Sequence, residues 1–258
     1  MQRLTSTTST TAKTWTKTAD RPLRSAAKSL GIWLFAHFVG VPVPWRAVRQ
    51  TDGAALLAFE HERLRALAAA GERVPPVLGF DGYTLETGDI GPTLDHVLHR
   101  TPEAERLALM CAASADLAGF HARGQWHGGA QTRNLTWDGQ HFARLDFEER
   151  LQPGLPLATV QMYDVLQLVL SLARYLDALG PPSVVAVLNA YHAASQASAG
   201  RAQPASDLAG FLRRLLPRLL RVSRMAAWSS RLDSSRELVR LRTVLDGMAA
   251  FVQQAGQP

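Results

Sequence analysis

A chain of 258 residues with 47% hydrophobic and 19% charged residues is neither disordered nor collagen-like, and it is long enough for one large domain or two small ones around an apolar core. The formal charge of +6 comes almost entirely from arginine, because Lys13, Lys17 and Lys28 are the only lysines. One cysteine, Cys111, excludes an intramolecular disulfide framework and reads as a small buried residue on a helix.

Residues 1–29 are rich in Thr and Ser and carry six basic residues against the single acid Asp20, a composition that predicts a flexible basic tail. The apolar run Leu30 to Pro44 is shorter than the ~20 residues a membrane-spanning helix needs, so it is expected as a core helix, a strand or an interfacial segment. From Ala55 to Ala70 the residues are strong helix formers, with Leu57, Leu64 and Leu67 on one face and Gly71 as terminator. Pro75, Pro76, Gly79 and Gly82 then break the stretch 73–90 into short runs expected as a β-hairpin. Thr101-Pro102 opens a predicted helix running to about His121, with Pro where a missing N–H costs nothing. Val165, Leu168, Val169 and Leu172 give helical spacing over about 160–179, and the chain from Ser183 onward is helical in character. Strand signals lie early and helix signals late. The expected fold class is α+β, a small mixed lobe followed by a larger helical one.

Residues 117–149 carry the chemistry. A helix ending at His121 and Gly124 leads into His127-Gly128-Gly129, then Asn134, a hairpin around Asp138-Gly139, and an apolar strand ending in Asp146-Phe147-Glu148. Taken singly, Asn134 reads as a turn-capping residue and Asp146 as an ordinary strand-end acid. Joined by one tight hairpin, they can converge on a hard cation such as Mg²⁺, which takes oxygen ligands.

This stretch resembles the catalytic region of the protein-kinase-like superfamily, in which a His-x-Asp-x-x-x-x-Asn loop precedes an Asp-Phe-Gly segment. Small bacterial lipopolysaccharide kinases and RIO-like proteins look nearest, since there too the helix ends in a His-x-x-Gly-x-x-His-Gly sequence. The resemblance implies a bilobal kinase-like fold with a reduced small lobe over 30–94 and a large helical lobe over 95–258. It implies ATP and Mg²⁺ as cofactors, Asn134 and Asp146 as metal ligands, and His127, Gly129, Asp146 and Asp164 at the catalytic positions. Glu60, with Glu62 as rival, matches the small-lobe helix glutamate that forms an ion pair. Asp89 and Gly91 fall where the family has its adenine-binding hinge. Asp164 resembles the aspartate that braces the catalytic loop through backbone hydrogen bonds. The bland alternatives are solvated helix charges for Glu60 and Asp164.

Four departures accompany the matches. Gly129 stands where the family has its proton-accepting Asp. No lysine follows residue 29, so the expected phosphate contact falls to Arg46 or Arg49, whose planar fork is not a conservative replacement. No Gly-rich phosphate loop precedes residue 59, and Glu148 replaces the last glycine of the metal segment, as a further ligand, a replacement base or a surface charge. Two classes of function follow. One is an ATP-dependent kinase acting on a protein, sugar or lipopolysaccharide-type hydroxyl; the other is a pseudokinase serving as a nucleotide-binding or scaffold module.

Between Phe211 and Arg242, arginines at 213, 214, 218, 221, 224, 231, 236, 240 and 242 interleave with Leu212, Leu215, Leu216, Leu219 and Leu220. That pattern suits an anionic membrane surface, an acidic partner, or a helix packed by its leucines with arginines in water. No nucleic-acid reader motif accompanies the charge. The expected location is the cytoplasm, with peripheral attachment at the inner face of a bacterial inner membrane as an extension.

Overall fold

The computed structural model describes residues 5–9, 12–20, 25–38, 40–49, 52–152, 154–198, 207–227 and 235–256. The fold is mixed α+β. One antiparallel sheet has the order β1-β2-β4-β3, formed by β1 (Thr5–Ser9), β2 (Ala12–Thr18), β3 (Val77–Phe80) and β4 (Thr84–Gly88). The expected N-terminal tail is therefore corrected. Thr14, Trp15, Thr16, Lys17 and Thr18 pair residue by residue with Gly88 back to Thr84, giving the sheet a strand that composition alone reads as solvated chain. Alternating β-branched Thr suits a pleated ladder, and backbone pairing supplies what apolar burial does not.

Between β2 and the next long helix lie α1 (Ala26–Phe38) and the single turn α2 (Trp45–Val48), so the apolar run that starts at Leu30 is helical as far as Phe38. Helix α3 (Gly53–Ala69) starts where the Asp52 side chain accepts a hydrogen bond from the Ala55 N–H at 3.0 Å, satisfying one of its orphan donors. It ends at Gly71, whose φ of +79° a side chain would strain. Leu57, Leu64 and Leu67 are buried as their spacing predicts, and the same helix packs on β2, β3 and β4.

After the hairpin, the short α4 (Leu94–Arg100) is capped by Thr93 and precedes α5 (Glu103–Ala122). A 3-10 turn at Thr132–Asn134 leads into a second hairpin, β5 (Leu135–Trp137) and β6 (Phe142–Arg144). The remainder is helical: α6 (Leu157–Leu179), α7 (Pro181–Ala197), α8 (Leu208–Ala227) and α9 (Arg236–Gln254). Helices α5, α6 and α9 each pack against α7, α6 also packs against α5 and α9, and α8 packs against α9, with α6 buried along most of its length from Val160 to Leu176. No helix among the described residues is long and apolar enough to cross a membrane.

On α8, Leu212, Leu215, Leu216 and Leu219 are buried while Arg213, Arg214, Arg218, Arg221 and Arg224 are exposed. Its leucines are core residues. The arginines form a basic stripe along the outer face; Arg231 lies outside the described residues.

Candidate functional site

The site begins with Lys17. From β2 its ammonium reaches the Glu60 carboxylate on α3 at 2.5 Å and the Asp146 carboxylate at 2.7 Å. This overturns the expectation that an arginine supplies the positive charge. Arg49 is exposed at the C-cap of α2, and Arg46 is exposed on that turn. Lys17 went unread because its strand went unread. Glu62, the rival to Glu60, points to solvent, whereas Glu60 is 2% exposed.

Burial by itself would push the Lys17 ammonium toward its neutral form. The carboxylates of Asp146, Glu60 and Glu148 outweigh that effect and hold its pKa above the ordinary lysine value. Glu60 is raised from the usual carboxylate range, chiefly by burial and further by the charges of Asp146 and Glu148, with Lys17 opposing. Carboxylate oxygens of Glu60, Asp146 and Glu148 all lie within 4.8 Å of one another. Three carboxylates against one ammonium leave a formal surplus of two negative charges, which adds to the effect of burial on Glu60.

Asp146 follows β6 with φ of 70°, the one positive-φ residue other than glycine among the described residues. Asp tolerates that region better than bulkier residues, and held strain of this kind clusters at functional sites. Next in the chain, Phe147 is buried and stacks on His127 with ring centroids 4.5 Å apart. The His127 Nε2–H donates to the Leu145 carbonyl at 3.0 Å, and its Nδ1 accepts from the Gly129 N–H at 3.2 Å. Both contacts fit one neutral tautomer, and burial holds the His127 pKa below its ordinary value.

Asp164, from α6, is fully buried beneath this loop. One carboxylate oxygen accepts the His127 N–H at 2.6 Å and the other the Gly128 N–H at 2.7 Å. The His121 Nε2–H also reaches Asp164, at 3.4 Å, while its Nδ1 meets the Tyr191 hydroxyl at 2.8 Å. Gln161, one turn before Asp164, donates to the carbonyls of His121 and Gln125, both at 2.9 Å. Arg63 on α3 donates to the Trp126 carbonyl at 2.9 Å and lies over the Trp126 ring, tying the helix of Glu60 to the loop.

Asn134 is 7% exposed, and its Nδ2–H donates to the Gly129 carbonyl at 2.9 Å. That bond fixes which end of the amide is nitrogen and turns the oxygen, the harder ligand, to the opposite side. The Leu145 N–H donates to the Asn134 carbonyl at 3.0 Å, so the backbone of Asn134 is clamped to the residue before Asp146.

Asp89 and Gly91 lie in the connection from β4 to α4. The Asp89 side chain accepts the Trp15 indole N–H at 2.6 Å and its own N–H donates to the Lys13 carbonyl at 3.0 Å, so it ties β2 to this connection. Gly91 has φ of 100°. The structure thus gathers Glu60, His127, Gly129, Asn134, Asp146 and Asp164 into one linked constellation, adds Lys17, and leaves Arg49 outside it. Glu148 joins the Lys17 cluster.

No family model matches the chain, and no curated protein matches it in sequence.

Proposed function

We propose that the chain is an ATP-dependent phosphotransferase of bilobal protein-kinase-like architecture, transferring phosphate to a protein, sugar or lipopolysaccharide-type hydroxyl. One observation carries this reading: Lys17 joins Glu60 on α3 to Asp146 beyond β6, placing a fixed ammonium beside an acid that can hold a metal. A structural ion pair needs one partner; a lysine fixed between two carboxylates at a loop edge is a prepared phosphate contact.

The donor set fits Mg²⁺. Asp146, Glu148 and the amide oxygen of Asn134 are hard oxygen ligands, and the surplus negative charge around Lys17 is what a divalent cation neutralises. ATP supplies the phosphoryl group, and Mg²⁺ screens the charge of its phosphates. Lys17 holds a phosphate oxygen, Glu60 orients Lys17, and Asp164 fixes the loop backbone at His127 and Gly128 without touching substrate. Catalysis of this type is mostly positioning and charge stabilisation. The same reading expects the protein in the cytoplasm.

A second reading is favoured by Gly129. The loop that Asp164 holds has glycine and no carboxylate at 129, five residues before Asn134, as a pseudokinase that binds nucleotide without turnover would have it.

Thermal unfolding with ATP, with and without Mg²⁺, tests the proposal. A ligand specific for the folded state stabilises it by about 2.7 kcal/mol at a hundredfold excess over Kd. Stabilisation only when ATP and Mg²⁺ are both present is the expected result; none at millimolar ATP would refute it.

A further inference from the structure

Gly128 and Gly129 differ in why they are glycine. Gly128 has φ of 87°, and a Cβ there would lie 2.9 Å from the Glu149 Cβ and 3.1 Å from the Trp126 ring, so glycine is required twice over. Gly129 has no such constraint. A Cβ at Gly129 would meet only ordinary contacts, 3.7 Å to the Asn134 Nδ2, 3.9 Å to the Glu149 Cγ and 3.9 Å to the His127 Nδ1. Gly129 thus has room for a Cβ, and the stem of Glu149 borders the space beside it.

We propose that Glu149 supplies the proton-accepting carboxylate of this site, reaching from the segment after Asp146 into the space that the missing side chain of Gly129 leaves open. The proposal rests on the phosphotransferase reading and resolves the conflict Gly129 raises against it. Glu148 and Glu149 face different parts of the site: Glu148 joins the cluster around Lys17, whereas the Glu149 stem packs against Gly128 and Gly129. Glu148 thus lies on the cation side, and it is the stem of Glu149 that stands beside the loop. Its carboxyl carbon is one bond beyond Cγ, as an aspartate's is one bond beyond Cβ, so a glutamate entering from this side and an aspartate at 129 would serve one small volume. Half-buried Glu149 is open enough for an acceptor to approach.

In the step, the acceptor hydroxyl oxygen forms a bond to the terminal phosphorus of a nucleoside triphosphate. The bond from that phosphorus to its bridging oxygen breaks, the electron pair leaves with the nucleoside diphosphate, and the hydroxyl proton passes to the Glu149 carboxylate. No oxidant or reductant is involved.

The test is a rescue. Glu149→Gln keeps size and shape but cannot accept the proton, so ATP-dependent phosphoryl transfer, read as autophosphorylation or ATP hydrolysis, should fall by about 10²–10⁴-fold. Thermal stabilisation by ATP with Mg²⁺ should stay at the parent's level. Adding Gly129→Asp to that variant returns a carboxylate from the loop side and should recover at least a tenth of the lost rate, a gain no merely structural role of Glu149 would produce. Glu149→Asp, one methylene short, should be intermediate and covers the case in which the amide variant folds poorly. A parent that turns over with Glu149→Gln equally active overturns the assignment of Glu149 alone. A parent that binds ATP with Mg²⁺ but shows no turnover overturns both the assignment and the phosphotransferase reading, and the scaffold reading then holds.

Discussion

The Lys17 ammonium lies 2.7 Å from the Asp146 carboxylate across 129 positions of sequence. With the Glu60 contact, that one cation ties the N-terminal sheet, α3 and the segment after β6 together at a single point. Glu60 is buried and Asp146 and Glu148 are partly so, each costly to leave unpaired, so the arrangement persists only if the three elements stay in register.

Asp146 and Asn134 are expected to carry the metal dependence. Asp146→Asn keeps a residue that tolerates positive φ, and Asn134→Ala removes the amide oxygen together with the bond to the Gly129 carbonyl. Each variant should fold while losing the extra thermal stabilisation that Mg²⁺ gives in the presence of ATP. Metal-dependent stabilisation equal to the parent's in either one would remove that residue from the ligand set. Calorimetric titration gives the same answer independently.

Asp164 should be a stability residue as well as a positioning one. Asp164→Ala strands the buried N–H groups of His127 and Gly128, at about 1–3 kcal/mol each. Chemical denaturation should register a loss of that order, larger than for exposed acids such as Asp138. A loss below about 0.5 kcal/mol, the usual range for surface sites, would mean that the loop does not lean on α6.

Acid sensitivity follows from two buried imidazoles. Burial lowers the pKa of His121, with Asp164 opposing, and likewise lowers that of His127. The unfolded chain takes up protons near pH 6.5 while the folded chain does not, so stability is fully present above that pH and is lost as pH falls below it toward the folded-state values. Each histidine contributes a slope of about 1.4 kcal/mol per pH unit in that window. His121→Gln should flatten the dependence of melting temperature on pH between 7 and 5.5, roughly halving a two-histidine slope. An unchanged slope would assign acid sensitivity elsewhere.

The basic stripe of α8 makes a separate prediction. Because its leucines are buried in the core, the stripe can meet an anionic bilayer only through Arg213, Arg214, Arg218, Arg221 and Arg224. Binding to vesicles containing anionic lipid should weaken steeply as salt rises toward physiological strength, and Arg→Gln at 213, 214 and 221 should abolish it. Salt-independent binding, or none by the parent, would return these arginines to the role of a solvated face.

Much of this was legible in the sequence wherever burial or spacing leaves a mark. The leucines of α3, the Pro/Gly punctuation of the first hairpin and the interval from His127 to Asp146 all correspond to local structure. Lys17 was not, for a physical reason. Its strand is polar on both faces, so it lacks the apolar alternation that announces a half-buried strand, and its Thr/Ser content is that of a solvated tail. The period-two pattern Lys13-Thr14-Trp15-Thr16-Lys17-Thr18 was the available signal, with β-branched residues at alternate positions. Glu149 was hidden differently. Nothing in its neighbourhood distinguishes it from Glu148 until the glycines it packs against are seen in space.

The most direct measurement is calorimetric binding of ATP with Mg²⁺ to the parent, to Lys17→Met and to Arg49→Ala. The ammonium that Asp146 and Glu60 hold in place is the claimed phosphate contact, so Lys17→Met should weaken binding by tenfold or more, about 1.4 kcal/mol, whereas exposed Arg49→Ala should bind like the parent. Parent-like affinity in Lys17→Met, or its loss in Arg49→Ala, would contradict the account.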